Sequence, residues 1–124
     1  MIPVIQAVYA QLNGVHDVPV VQSPASSTQE YPFITYKLLP IDNTEKDRDD
    51  YTLEVSHWTK SANSSHVPVL QLADKSFQAL IEFRYIDNHV QIFNTRPFMG
   101  HVPDPDTQIK RYDVRTTLKT YRRS

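Results

Sequence analysis

Residues 51–59, Tyr-Thr-Leu-Glu-Val-Ser-His-Trp-Thr, decide the fold class, because their side chains alternate in character along the chain. Successive side chains of a β-strand point to opposite faces of its sheet. One face is therefore predicted to carry Tyr51, Leu53, Val55 and His57, and the other Thr52, Glu54, Ser56 and Trp58. The pattern predicts a strand with one apolar face, on which His57 is expected to be a half-buried histidine of the sheet.

A second stretch, residues 108–121, alternates in the same way and predicts a long strand with one solvated face. Its apolar face is predicted to carry Tyr112, Val114, Thr116 and Leu118. Aromatic and β-branched residues predict two further strands, at 31–39 and 90–96. The apolar run 18–21 predicts an edge strand, because Pro19 has no backbone N–H to donate to a neighbouring strand.

Two other stretches have apolar residues at helical spacing. Residues 3–13 begin with Pro3, which suits a first helical turn, and Gly14 is expected to end that helix with a positive φ. Residues 67–83 carry the longest apolar stripe of the chain. Helices at separate points among the strands predict an α+β fold, with a mostly antiparallel sheet of about four to five strands packed by two helices. We expect one domain over residues 1–124.

The composition excludes several classes of protein. The chain has 124 residues, a net charge of −1 and no cysteine, which excludes disulfide scaffolds and thiolate zinc sites. Its two glycines, Gly14 and Gly100, are too far apart for a P-loop, a dinucleotide-binding loop or a nucleophile elbow. There is neither a secretory leader nor an apolar run of about 18 residues. We therefore expect a soluble, cytoplasmic protein that does not contact a membrane.

Charge is distributed unevenly along the chain. Residues 108–124 hold six basic residues and one acidic residue, Asp113, whereas the loop predicted at 41–50 holds five acidic and two basic residues. In a self-associating protein these two segments are complementary and can meet head to tail across subunits. The interface candidates are Asp42, Glu45, Asp47, Asp49, Asp50, Lys110, Arg111, Arg115, Lys119, Arg122 and Arg123.

No stretch has the spacing of a catalytic or metal site. The five histidines form no H-E-x-x-H motif, and the acidic loop lacks the central glycine of a calcium-binding loop. A triad of Ser56, His57 and an aspartate has no nucleophile elbow to support it, although a hydrolase with a dispersed site stays a third hypothesis. We expect no catalytic, cofactor-binding or metal-binding residue, and a protein that is not an enzyme.

Several segments together resemble one family. A short N-terminal helix ends in Leu12-Asn-Gly, and the strands Tyr31-Pro-Phe-Ile-Thr-Tyr and Leu53-Glu-Val-Ser-His-Trp-Thr follow in order. The helix at 67–83 and the closing strand Arg111-Tyr-Asp-Val-Arg-Thr-Thr-Leu complete the same order. The chain resembles the tail-completion, or tail-to-head joining, proteins of long-tailed bacteriophages, which are related to tail terminators.

This resemblance implies a virion protein at the head-proximal end of the phage tail, present in the host cytoplasm during assembly. It implies a protein that is monomeric or weakly associated in solution, forms a hexameric ring on the tail tube protein and docks onto the head-closure (stopper) protein. DNA would pass through the ring without specific binding, so a lumen should avoid strong positive charge. The alternative is a small nucleic-acid-binding module that uses the basic C-terminal strand.

Overall fold

The computed structural model describes residues 1–43, 45–63, 65–81 and 83–123. Within these ranges, two helices and seven strands alternate along the chain, and the α+β prediction with two helices is confirmed. Their order is α1 (Ile2–Val15), β1 (Val20–Gln22), β2 (Phe33–Ile41), β3 (Arg48–Lys60), α2 (Val67–Ile81), β4 (Tyr85–Ile86), β5 (Val90–Asn94), β6 (Phe98–His101) and β7 (Ile109–Arg122).

Helix α1 begins as predicted, with Pro3 in its first turn, but it ends later than residue 13. Gly14 does not take a positive φ, and the predicted stop at Asn13-Gly14 is wrong. The helix instead ends at Val15 and is capped by His16, whose backbone is extended (φ −113°) and whose N–H still donates to the carbonyl of Leu12. The His16 side chain is buried, so a tertiary contact rather than a glycine fixes this end.

Helix α2 ends at Ile81, before the predicted residue 83, and residue 82 lies outside the described residues. Phe83 is buried, and its N–H donates to the carbonyl of Leu80 in a tighter turn. Phe83, the last residue of the predicted helix, therefore enters the core from beyond the end of α2. Neither helix in the described part of the chain is long and apolar enough to span a membrane.

The strands form one curled, mixed sheet in the order β1-β2-β3-β7-β5-β4, and β6 pairs with the same edge of β7 as β5. The pairs are antiparallel except for β1 and β2, which are parallel. The prediction of four to five strands is wrong, because β4 and β6 were not predicted. Strand β4 has two residues and all four residues of β6 are exposed, so neither has an alternating apolar pattern to detect.

Strands β3 and β7 form the centre of the sheet, and both are longer than predicted. Strand β3 begins at Arg48 and β2 continues to Ile41, so residues 41 and 48–50 of the predicted loop lie in the two strands of a β-hairpin. Pro40 pairs with Tyr51 inside this hairpin, so β2 continues past residue 39, where the predicted strand ends. Strand β1 reaches only as far as Tyr36, so Pro40 lies in an edge segment, where proline is tolerated.

One face of the sheet is apolar and packs against the helices, and the other face is polar. The alternation predicted for residues 51–59 and 108–121 is confirmed by the register, since His57 pairs with Tyr112 and Val55 with Val114. These residues face the helices, and Leu53 and Val55 lie with Val8, Leu12 and Leu80 in the apolar core. The opposite face, called the open face below, is not covered by either helix and carries the polar half of each alternating strand.

Candidate interface on the open face of the sheet

A cluster of charged side chains lies at the centre of the open face. Glu54 of β3 and Asp113 of β7 are 6% and 4% exposed, although each is a carboxylate. Arg115 Nη2 lies 2.9 Å from Glu54 Oε2, and Lys37 Nζ lies 3.5 Å from Glu54 Oε1. Arg111 donates to both oxygens of Asp113, at 2.9 and 3.0 Å. We call Lys37, Glu54, Arg111, Asp113 and Arg115 the carboxylate cluster.

The carboxylate cluster is a compensated charge network. Two nearly buried carboxylates are surrounded by three cations, of which the side chains of Lys37 and Arg115 remain 43% and 46% exposed. A buried carboxylate is stable only when paired and hydrogen-bonded, and the three strands β2, β3 and β7 each supply part of that pairing. The sheet register therefore places basic groups of β7 against acids of the same chain.

Arg111 joins this network to an aromatic group. Its guanidinium carbon lies 4.6 Å from the centroid of the Trp58 ring, at cation–π distance. Trp58 stacks on Phe33, with centroids 5.8 Å apart and planes 14° apart. The indole Nε1 donates to Thr35 Oγ1 at 3.3 Å. Trp58 therefore lies on the open face of β3 and not in the core beneath the helices.

The acidic candidates Glu45, Asp49 and Asp50 lie near the opposite end of β3, and basic residues of the same chain pair with them. Arg122 donates to both carboxylate oxygens of Asp49, at 3.0 to 3.1 Å. Arg48 contacts Asp50 at 3.0 Å and Glu45 at 3.3 Å. Part of the complementarity predicted between subunits is therefore made inside one chain.

The other candidates are spread over the same two segments. Asp42 and Asp47 are exposed in the turn between β2 and β3. Lys119 lies in β7, opposite Asp50 in the register. Lys110 is buried with its Nζ donating to the carbonyl of Thr107, and Arg123 donates to the carbonyl of Asp87 at 3.1 Å. The structure thus brings some candidates together, and contact between the two sets across subunits stays a prediction.

The sequence reasoning missed Glu54, Lys37 and, as an interface residue, Asp113. Their position in the sequence could have indicated them, because they lie on the polar face of long alternating strands. A carboxylate in the middle of such a strand needs a cationic partner. Their partners come from different strands, and pairing them required the register of β2, β3 and β7.

A buried hydrogen-bond chain lies on the helix side of the sheet. His57 is completely buried, not half-buried as predicted, and its Nδ1 lies 2.8 Å from the carbonyl oxygen of Tyr112. Ser76 Oγ of α2 lies 2.6 Å from His57 Nε2 and 2.8 Å from His16 Nε2. We call these residues the His–Ser–His chain. Burial lowers the pKa of each histidine to about 4.

The partners fix the direction of the donors along the His–Ser–His chain. A carbonyl oxygen only accepts, so His57 Nδ1 carries the proton and its Nε2 accepts from Ser76. The hydroxyl has one proton, so His16 Nε2 must donate to Ser76. His16 Nδ1 is then a buried acceptor, and it has no partner in the described part of the chain.

The hypothetical triad of Ser56, His57 and an aspartate is wrong. Ser56 lies on the open face near Arg111, whereas His57 lies beneath the helices. Ser76, the serine that does contact His57, is completely buried. Among the described residues, no three histidine, aspartate or glutamate side chains are grouped to hold a metal ion.

No family model matches the chain, and no curated protein matches it. Among solved structures, it is similar to a chain of a structure titled "Virion of native gene transfer agent (GTA) particle". The TM-score is 0.65, the sequence identity is 12%, and the match covers 94% of this chain and 92% of that chain. At this identity the similarity shows a shared fold.

Proposed function

We propose that this protein is a structural component of a phage-like virion. The observation that carries the proposal is the fold shared with a chain of a gene transfer agent virion, which extends over 94% of this protein. Because the match covers nearly the whole length of both chains, the two share an entire fold and not only one common motif. Because a fold hosts more than one function, the assignment needs a test in assembled particles.

More specifically, we propose that the protein caps the tail tube as a ring, joins it to the head-closure protein, and performs no enzymatic reaction. The order of elements that resembles tail-completion proteins supports this position. A ring also needs two different surfaces that meet head to tail. This sheet ends in β1 on one side and in β4 and β6 on the other, and these two edges offer different surfaces to neighbouring copies.

The charge pairing favours this function over a nucleic-acid-binding module. Binding to phosphates requires cations that are available to replace counterions. Arg111, Arg115 and Arg122 of the basic strand already contact Asp113, Glu54 and Asp49. Much of the positive charge of residues 108–124 is therefore neutralised within the chain, which suits a surface that contacts protein while DNA passes.

Deletion of the gene in its producing strain tests the proposed function directly. Without the protein, we expect tail tubes that exceed the normal length and heads that remain free, as counted by electron microscopy. The wild-type gene supplied on a plasmid should restore joined particles, and the protein should co-sediment with tail tubes. Tails of normal length that join heads in the deletion strain would contradict the proposal.

A gel shift distinguishes the alternative function. A module that binds phosphates should retard a DNA duplex at about 50 mM salt and lose most of that affinity at about 200 mM. We expect no retardation at protein concentrations at which tail tubes are bound. Strong, salt-sensitive retardation that is lost in the Arg115→Ala variant would favour the nucleic-acid-binding module.

A further inference from the structure

A groove on the open face, near β1, has an aromatic wall. Tyr31 and Phe33 have ring centroids 5.1 Å apart, and Phe33 stacks on Trp58. These rings face the loop at 23–29, and the groove between them has a volume of about 320 Å³. Its lining combines flat apolar rings with serine and glutamine side chains, which suits an extended polypeptide segment more than a compact polar molecule.

An exposed positive charge lies beside the aromatic wall of this groove. Lys60 Nζ lies 5.9 Å from the centroid of the Tyr31 ring. Lys60 is exposed and forms no ion pair with the residues that the structure describes. Arg111, the other cation beside the aromatic wall, is already held by Asp113. The groove therefore favours a segment that brings its own negative charge.

The chain itself contains such a segment, Val-Pro-Asp-Pro-Asp at residues 102–106. Each proline fixes its own φ and restricts the residue before it to extended conformations, so little conformational entropy is lost when the segment binds. Asp104 and Asp106 each accept one backbone N–H through Oδ1, at 2.9 Å, and each keeps its second carboxylate oxygen. Pro103, Pro105 and Asp106 are exposed.

Within one molecule, the segment and the groove border two different clefts. Residues 102–106 follow β6, which pairs with the edge of β7 that faces away from β3, and they border a cleft with His66 and Lys110. The groove is lined by Trp58 of β3, by residues of β2 and by the loop after β1. Hydrogen bonds from the Val102 N–H to the Arg111 carbonyl and from the Ile109 N–H to the Asp106 carbonyl hold the segment in its own cleft. A contact between the segment and the groove therefore joins two copies, and because the surfaces differ, it can be repeated around a ring.

We propose that the aromatic groove binds residues 102–106 of a second copy of this chain. The two prolines pack on the rings of Tyr31, Phe33 and Trp58, and the two carboxylates approach Lys60. This proposal rests on the proposed ring assembly and adds to it the contact between neighbouring subunits.

Single-stranded nucleic acid is the rival occupant, because bases stack on aromatic side chains. The existing contacts disfavour it. A cation already covers Trp58 and another covers Tyr31, while Glu54 and Asp113 add negative charge beside Arg111. A base needs one uncovered ring face to stack on, whereas a proline can also pack against a ring edge.

A peptide titration tests the contact, with Trp58 as the reporter, since it is the single tryptophan of the chain and lines the groove. A peptide of residues 100–108 should give a saturable change in tryptophan emission with the full-length wild-type protein. The Lys60→Glu variant should bind it about fivefold more weakly. The matched control is Lys46→Glu, at the far end of β3 in the turn before it, which should bind like the wild type.

A charge exchange strengthens the test. A peptide with Asp104→Lys and Asp106→Lys should bind the Lys60→Glu variant more tightly than it binds the wild type. The proposal is overturned if the wild-type peptide gives no saturable change, if a scrambled peptide of the same composition binds equally well, or if the charge exchange has no effect. Competition by oligothymidylate with an affinity above that of the peptide would assign the groove to nucleic acid.

The outcome of the peptide titration does not depend on the proposed function, because the assay is done without phage tails. If the peptide binds but tails in the deletion strain are normal, the contact stands and the tail-capping function is wrong. If deletion lengthens the tails but the peptide does not bind, the function stands and the contact is wrong. In the full-length protein, Pro103→Ala with Pro105→Ala should lower the self-association measured by sedimentation, and unchanged association would count against the contact.

Discussion

Acidification from pH 7 to pH 5 should destabilise this fold, because the His–Ser–His chain buries two neutral histidines. The pKa of His57 falls from 6.5 to about 4, chiefly because burial penalises the charged ring, although the Tyr112 carbonyl opposes the shift. The pKa of His16 also falls to about 4, through burial and the nearby charge of Lys75. Protonation of His57 would make Nε2 a donor and leave Ser76 without the acceptor that it now uses.

The sign follows from proton linkage. Between pH 6.5 and about pH 4, the unfolded chain binds more protons at these histidines than the folded chain does. The free energy of unfolding therefore falls as the pH falls through this window. For His57 alone, the loss between pH 7 and pH 5 is about 2 kcal/mol. His16 has the same lowered pKa of about 4 and adds up to about the same amount, so the two together lose at most about 4 kcal/mol.

Urea unfolding followed by Trp58 emission measures this loss at the two pH values. His89→Gln supplies the matched control, because it removes an exposed histidine and leaves the His–Ser–His chain intact. NMR titration of the folded protein should give midpoints for His16 and His57 well below 6.5. A free energy of unfolding that is equal at pH 7 and pH 5, or a midpoint near 6.5 for His57 in the folded state, would refute the reasoning.

Three further changes test the packing and the charge pairs by urea or thermal unfolding at pH 7. Ser76→Ala leaves a donor of His16 and an acceptor of His57 unsatisfied in the core, and should cost about 1 to 3 kcal/mol; a cost near zero would contradict the assigned hydrogen-bond chain. Glu54→Ala removes the buried carboxylate that holds Arg115 and should cost about as much, with Glu54→Gln costing less. Arg122→Ala breaks an exposed pair and should change stability by less than about 1 kcal/mol, so a larger loss would show that this end of β3 is more rigid than its exposure implies.

The strand pattern was predictable where it was long. Residues 51–59 alternate clearly enough that the core face and the open face were assigned correctly, and the helix at 67–81 follows from its apolar stripe. Strand β6 was not predictable, because its four residues are exposed and pair only with β7. The end of α1 was mispredicted because a buried histidine, and not the adjacent glycine, determines where the helix stops.

The interface candidates stay a prediction. Charge counts identified an acidic and a basic segment and predicted contact between copies, and the structure forms some pairs between these segments within one chain. Arg122 with Asp49 is such a pair, at a sequence separation of 73 residues. Charge composition depends only on the residues present, whereas pairing depends on which strands are neighbours.

By itself, the sequence determined the two faces of the central strands, the fold class and the absence of cysteine and glycine-rich motifs, because alternation and composition are local properties of the chain. Only the tertiary structure decided that Glu54 and Asp113 are compensated by cations from three strands, and that Ser76 joins two histidines under the helices. It also formed the groove beside Trp58. The reason is physical: burial, shared hydrogen bonds and ion pairs depend on distances between residues far apart in the chain, and those distances are set by the sheet register and by the packing of both helices against the sheet.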